Sequence, residues 1–396
     1  MGTMPHMIPF PGAFALGVAI FLIVIWDAFE AVILPRRVTR KYRLARVFYR
    51  FTWIIAKAAS RLIRSRKRRE NFLGFYGPSS LLLLIGVWAV GLIFGFGLMQ
   101  YGAGSAVNVS GGGPANGPGL QSSFGADFYL SGTTFFTLGL GDVVPRTSLA
   151  RALVVTEAGF GFGFLAAIIG YLPFIYGSFS KREVDISLLD SRAGTPPTAG
   201  ELLRRHAYDG GRDALHDLLK DWELWSAELM ESHLSYPVLA FFRSQHDNQS
   251  WIASLACILD TCALLKAGIE DACERQADLT FAIARHAVVD LSQVFGTPPH
   301  PVPYDRLPAE DLRIIREMLA QHGLKLHDTE EATRKLGAFR KMYEPYIYAL
   351  AEYLGHTLPP WIAPKKGKDN WQTTAWAKSA GVMVEKPDTV TVDDHF

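Results

Sequence analysis

The sequence predicts an all-α membrane protein: three membrane-spanning helices with a re-entrant segment between the second and third, followed by an all-α domain. Three observations lead there. Hydrophobic residues make up 49% of the 396 positions and the mean hydropathy is positive, which is high for a soluble chain. Three windows, residues 12–34, 79–99 and 150–178, are long and apolar enough to cross a hydrocarbon core of ~30 Å. Charge is segregated: from 35 to 78, fourteen Lys and Arg stand against Glu70 alone. Residues 1–78, with fourteen cations and three acids, therefore carry +11 and the remainder −9.

Every backbone polar group in lipid must be paired within its own segment, so all three windows are read as helices. The first, GAFALGVAIFLIVIWDAFEAVIL, lacks a basic leader and is followed by Pro35, Arg36 and Arg37, the flank of an anchor and not of a cleaved signal. Asp27 and Glu30 share one face of it at i, i+3. Burying either one charged costs a few kcal/mol in a membrane. Pairing with Arg36 or the basic helix beyond, or burial as a neutral acid, is the expectation here, ahead of proton sensing or coupling to a gate.

The basic block fixes orientation by the positive-inside rule. Residues 35–78 are expected to be cytoplasmic and the N-terminus outside, giving a multi-pass protein of the cell membrane. Residues 100–149 then face outward, and everything after Lys181 is cytoplasmic, in agreement with Lys181 and Arg182 directly behind the third window. The expected division is a spanning helix (1–34), a basic amphipathic cytoplasmic segment (35–78), a two-span unit with its loop (79–180), a linker (181–205), a cytoplasmic helical domain (206–360) and a tail (361–396).

Within the basic segment Leu44, Val47, Phe48, Phe51, Ile54, Ile55, Ala58 and Leu62 recur at helical spacing, with Arg43, Arg46, Arg50, Lys57, Arg61 and Arg64 largely between them. A cationic amphipathic helix suits the inner membrane surface, where anionic lipid attracts each Lys or Arg by about 1 kcal/mol. Anionic inner-leaflet lipid is thus the partner expected for residues 36–69. Nucleic acid is not, because the run is tethered between two spans.

Residues 101–124 are rich in Gly, Ser and Asn, as a flexible outer loop would be. Asn108 opens an NVS acceptor pattern there that matters only in a glycosylating host. Beyond the third window, RAGTPPTAG (192–200) reads as a linker, and apolar periodicity at 211–231, 249–267, 269–294, 308–321 and 328–354 predicts the helices of the C-terminal domain. Cys257, Cys262 and Cys273 are read as reduced packing thiols. His233, Arg243, His246, Asp247 and Asn248 crowd a helix junction, with Asn248 or Ser250 as the N-cap, and they lack metal-ligand spacing. No metal site is expected. No nucleophile with its base, carboxylate pair or phosphate loop is recognisable, so neither an enzyme nor catalytic residues are expected.

The chemistry lies between the second and third windows. Phe124–Phe136 is too short to cross and runs into Thr137-Leu138-Gly139-Leu140-Gly141-Asp142. A segment that enters lipid and returns has a non-helical return limb, which is tolerated only where protein buries it or where it lines a water-filled path. The carbonyls of Thr137 to Leu140, turned one way, would form stacked oxygen rings if several chains met at one axis, and such rings replace a cation's hydration shell. Turning successive carbonyls to one side needs alternating backbone handedness, which accounts for Gly139 and Gly141. A short helix before them would direct its negative C-terminal end at the ion.

Over residues 79–180 the chain resembles the potassium-channel pore family, in the class with two spans around one pore loop. The match rests on Thr134, on Thr137-Leu138-Gly139-Leu140-Gly141-Asp142, on Pro145, and on Gly161 twenty residues beyond Gly141, where many members carry a hinge glycine. Gly159 and Gly163 flank it in the same run. The chain departs from the family pattern at Leu140, which replaces an aromatic whose hydroxyl helps brace the filter, and at Phe136, which replaces a threonine. Some members, notably in the second pore loop of two-pore channels, also carry GLG. The N-terminal span lies outside the family's minimal core.

The resemblance implies a potassium-selective channel that passes K+ passively and needs no cofactor beyond the permeating ion. It implies a homotetramer, since one chain supplies one loop and four close a filter. Thr137, Leu138, Gly139, Leu140 and Gly141 would bind the ion, Asp142 would mark the outer mouth, Thr133 and Thr134 would support the pore helix, and Gly161 would be the gating hinge. A plain interhelical hydrogen bond is the expectation for Glu157, ahead of steadying the filter from behind through the pore helix or facing a neighbouring subunit. No span carries arginine at every third position, so voltage sensing by that route is not expected. The cytoplasmic domain is the place for tetramer contacts or an unknown ligand. Two other readings stay open: a non-selective monovalent cation channel, and a membrane-anchored receptor or scaffold acting through the helical domain.

Overall fold

A computed structural model of the chain describes residues 10–34, 43–104, 107–109, 124–244, 249–269 and 273–363. Arg36, His246, Asp247, Asn248 and the tail beyond 363 lie outside the described residues. The fold is all-α, with eleven α-helices among the described residues and one short strand pair. It separates into two compact units, Met1–Ala59 with Pro78–Tyr176, and Ser60–Gly77 with Gly177–Phe396.

The first unit is built on apolar helices. α1 (Pro11–Val32) carries the first predicted span. It crosses α3 (Arg66–Gly102) at backbone contact: a Cβ on Gly17 would lie 2.5 Å from Gly95 O, and one on Gly102 would lie 2.4 Å from Phe14 N. Small residues permit such an approach, and close packing is what associates helices in a solvent as apolar as their side chains. Phe21 of α1 sets its ring against Phe96 of α3 and against Phe160 of α5 (Ser148–Ala193), with centroids 5.2 and 4.9 Å apart. The N-terminal helix is therefore integral to this unit.

The two acids of α1 find partners at the start of the basic segment; the alternative partner, Arg36, lies outside the described residues. Asp27 accepts the Ala45 N–H at 3.2 and 3.1 Å and the Trp88 Nε1–H at 2.9 Å. Glu30 accepts the Trp26 Nε1–H at 2.9 Å and lies 3.3 Å from Arg43 Nε. Ala45 lies in the first turn of α2 (Leu44–Arg61), so Asp27 supplies an acceptor at the N-terminal end of that helix, where the backbone N–H groups lack intrahelical partners.

Two spans are longer than hydropathy suggests. α3 begins at Arg66 and runs through Pro78, and α5 continues through Pro173 to Ala193. A proline inside such a helix loses a single backbone hydrogen bond, so neither ends there. The sequence reading also missed the antiparallel pairing of β1 (Val107–Val109) with β2 (Val143–Pro145), since three-residue strands leave no readable periodicity.

In the second unit the predicted helical stretches emerge as α7 (Gly211–Ser235), α8 (Trp251–Gly268), α9 (Glu274–Phe295), α10 (Ala309–Gln321) and α11 (Glu330–Leu354). A further helix, α6 (Ala199–Arg205), lies where a linker was expected. Ser250 caps α8, accepting the Ala253 N–H at 3.0 Å. α8 is apolar all round and long enough to cross a membrane, yet 89% of its apolar window is buried by its neighbours, as befits a core helix. Cys257 and Cys262 lie inside it as free thiols.

Two buried arginines organise this unit. Arg306 bonds Asp260 at 2.7 and 3.2 Å, Glu344 at 3.2 Å and the Pro359 carbonyl at 2.9 Å, while the Tyr343 hydroxyl donates to Asp260. Arg182 donates to the Leu239 and Phe242 carbonyls at 3.0 and 2.7 Å and to Glu183, and stands 3.1 Å from His233 Nε2. Beside it Arg243 donates to Glu70 and to the Leu354 carbonyl. Charges taken out of water need this density of partners to offset their desolvation.

Candidate functional site

The site begins with α4 (Phe124–Phe135), the short apolar segment between α3 and α5. Its C-terminus closes with a pair of bonds: Thr137 N–H donates to Thr134 O at 2.9 Å and Leu138 N–H to Thr133 O at 2.8 Å. That pair is the Schellman closure, which demands a left-handed residue at the position of Thr137. Thr137 has φ 57°, making it the one non-glycine residue with positive φ among the described residues. A β-branched residue is rarely found there.

Alternation continues from that point. Gly139 has φ 58° and Gly141 φ 76°, whereas Leu138 and Leu140 between them do not take positive values. In an ordinary strand successive carbonyls point to opposite sides; with alternating handedness they turn toward the same side. The stretch 137–141 is solvent-exposed in the single chain, with Leu138 at 59% and Leu140 at 63%.

Thr133 and Thr134 serve the loop through their backbone carbonyls. The Thr133 hydroxyl itself turns back to Leu130 O at 3.0 Å, and the Thr134 side chain is buried. Beyond the loop, Asp142 Oδ1 accepts the Val143 N–H at 3.1 Å, and its carboxylate also meets the Tyr129 hydroxyl from α4. The outgoing chain is held by β2, by Arg151 Nε donating to Pro145 O at 3.3 Å and by the Thr147 hydroxyl accepting the Ala150 N–H at 3.1 Å.

Behind the loop a polar junction joins three helices. Ser131 of α4 lies within hydrogen-bond distance of Glu157 on α5, and its hydroxyl also donates to Ile93 O of α3 at 2.8 Å. Glu157 is fully buried, so the interhelical bond expected of it reaches α4. Ser131 was not anticipated, because a serine in an apolar segment carries no sequence signal of its own; the acid in EAGFGFGF does.

Gly161 is brought to the same place. α5 runs unbroken through it, and a Cβ built on Gly161 would lie 2.1 Å from Phe135 O at the end of α4. At Gly159 and Gly163 nothing lies within 4 Å. Of the three glycines in this run, Gly161 is the one whose missing side chain lets α5 touch α4. Gly161, Thr133, Thr134 and the 137–142 stretch are thus gathered at one end of α4.

Comparison with known proteins agrees with this anatomy. A protein-family description, Ion channel, matches residues 82–173, from within α3 through the loop to the proline of α5. A membrane protein of Bacillus subtilis (strain 168), named Uncharacterized membrane protein YdjJ, is 25% identical over 155 residues, which are 38% of this chain and 43% of the relative. The matched region thus spans less than half of that relative. No solved structure matches the chain. The stretch 82–173, with its spans, short helix and glycine loop, is similar to the ion-channel family.

Proposed function

We propose that the protein is a potassium-selective channel, working as a homotetramer and passing K+ passively through a filter formed by Thr137, Leu138, Gly139, Leu140 and Gly141. The observation that carries the reading is the alternation of handedness at 137, 139 and 141 directly behind a capped helix end. Four such limbs around one axis stack carbonyl rings that substitute for the water around a dehydrated cation. The C-terminal end of α4, with its partial negative charge, favours a cation at the same place. Asp142 marks the outer mouth, and Gly161 is the pivot between inner helix and filter.

Unburied apolar surface supports the tetramer. In the single chain only 11% of the apolar window of α5 is buried, against 56% for α3, and Phe136, Leu138, Val155 and Phe162 are exposed together with it. Neighbouring copies cover this surface in a ring closed by cyclic symmetry. The N-terminus then lies outside, and the helical domain is cytoplasmic, where ligand or subunit contacts act on the channel.

Leu140 is the feature that favours a non-selective cation channel as the second reading. Against it, Tyr129 brings a hydroxyl from α4 to Asp142, a brace at the filter's outer end that does not depend on an aromatic at 140. The test is ion efflux from liposomes holding the purified protein, loaded with K+ or with Na+. Efflux of K+ but not Na+, abolished by Gly139→Asp in a chain that still runs as a tetramer, supports the proposal. Equal efflux leaves the non-selective channel, and none leaves a membrane-anchored receptor or scaffold.

A further inference from the structure

α2 has three distinct faces. Leu44, Ala45, Phe48 and Tyr49 on its first turns pack into the core that holds Val24, Ala28, Leu84 and Trp88 of the spans. Val47, Phe51, Ile54, Ile55 and Ala58 form a second face that is exposed, with Phe51 65% accessible. Arg46, Arg50, Lys57 and Arg61 run along one edge of that apolar face, at positions one residue or one turn from it, and no acid lies anywhere in the helix.

We propose that α2 is a docking surface for anionic phospholipid, lying in the headgroup boundary with the Val47–Ala58 face toward the acyl chains and the arginine edge on the lipid phosphates. A helix with separate apolar and cationic faces and little net hydrophobicity partitions into that boundary. The occupant follows from two further features. The charge on the edge is of one sign, complementary to phosphate. The start of α2 is also fixed at the end of a span: Ala45 N–H is held by Asp27, five residues before the last residue of α1, and the same carboxylate takes the Trp88 indole of α3. A helix anchored there begins where the hydrocarbon gives way to headgroups. Asp27 thereby joins the lipid-facing helix to both spans. The proposal rests on the membrane reading of α1 and α3 and not on ion conduction.

The test uses the full chain with Cys273→Ser, which leaves Cys257 and Cys262 inside α8. Nitroxide labels placed singly at 47, 51, 54 and 56 are compared in bilayers of phosphatidylcholine alone and with phosphatidylglycerol. Labels at 47, 51 and 54 are expected to be accessible to dissolved oxygen and shielded from a water-soluble nickel chelate, and the label at 56 shielded from both. Phosphatidylglycerol retained by the purified protein, weighed by native mass spectrometry, is expected to fall with R46Q/R50Q/K57Q/R61Q, by roughly fivefold in affinity per cation removed. Nickel access at 47, 51 and 54 overturns the proposal by putting the face in water. Shielding from both reagents overturns it by putting a protein partner or a second copy there. Unchanged lipid retention in the quadruple variant overturns the charge assignment. None of these readouts depends on current, so failure of the channel reading leaves them intact.

Discussion

At the scale of single residues, the site is governed by backbone handedness. A residue held in a sparsely populated backbone region costs on the order of 1–3 kcal/mol, and Thr137 sits at φ 57° because the Schellman closure of α4 requires it. Thr137→Gly is expected to raise the thermal stability of the detergent-solubilised protein by about 1 kcal/mol while lowering K+ efflux, since glycine loosens the backbone that aims the first carbonyl ring. Gly161 behaves in the opposite sense. With a Cβ there 2.1 Å from Phe135 O, Gly161→Val displaces the inner helix from α4 and is expected to cost about 1–3 kcal/mol. Gly159→Ala and Gly163→Ala meet open space within their own chain and are expected to cost less than Gly161→Val. Melting curves for the four variants, read beside efflux, check both statements.

At the scale of elements, coupling between helices runs through a few buried polar groups. Asp27→Ala leaves the Ala45 N–H and the Trp88 indole without their acceptor, and a buried donor left unsatisfied costs about 1–3 kcal/mol. Faster amide exchange over the first turns of α2, with α1 and α3 unchanged, is the expected result. In the helical domain, burial first and the positive charge of Arg182 second push His233 well below its ordinary 6.5. Its ring donates from Nδ1 to Leu229 O at 2.9 Å and accepts from Arg182 at Nε2, a neutral arrangement. The unfolded chain protonates near 6.5 and the folded one does not, so stability is full above that pH and falls by about 1.4 kcal/mol per unit below it. Glu201 adds a second loss at lower pH: burial opposes its ionised form, but hydrogen bonds and charges from Arg204 and Arg205 outweigh that and hold it at about 2 instead of 4.5. Its contribution is present above 4.5 and disappears toward 2. Denaturation of the protein at pH 7.5, 6 and 5 should show the first decline, and His233→Gln should make it shallower, the rest coming from His206 and His356, which burial also holds below their ordinary value.

At the scale of the whole molecule, much of the plan was legible because membrane solvation writes long signals. Three apolar windows and one basic block led to α1, α3 and α5, and the heptad-like periodicity of 44–62 led to α2. The loop was legible through chemistry: two glycines at alternate positions, and both take positive φ. Less was readable where the signal is a contact and not a pattern. Nothing local predicts that Ser131 meets Glu157, that Gly17 and Gly95 bring α1 and α3 to backbone contact, or that Tyr129 reaches Asp142. The handedness of Thr137 was hidden for a related reason, since the cap that demands it is set by where α4 ends. The strand pair at 107–109 and 143–145 was too short to show.

All of these scales meet in the proposed filter. The measurement that tests it most directly is the reversal potential of single-channel current across a planar bilayer with K+ on one side and Na+ on the other. The account predicts a potential far from zero, in the direction of K+ selectivity, and loss of the current with Gly139→Asp. A reversal potential near zero with intact current would contradict it.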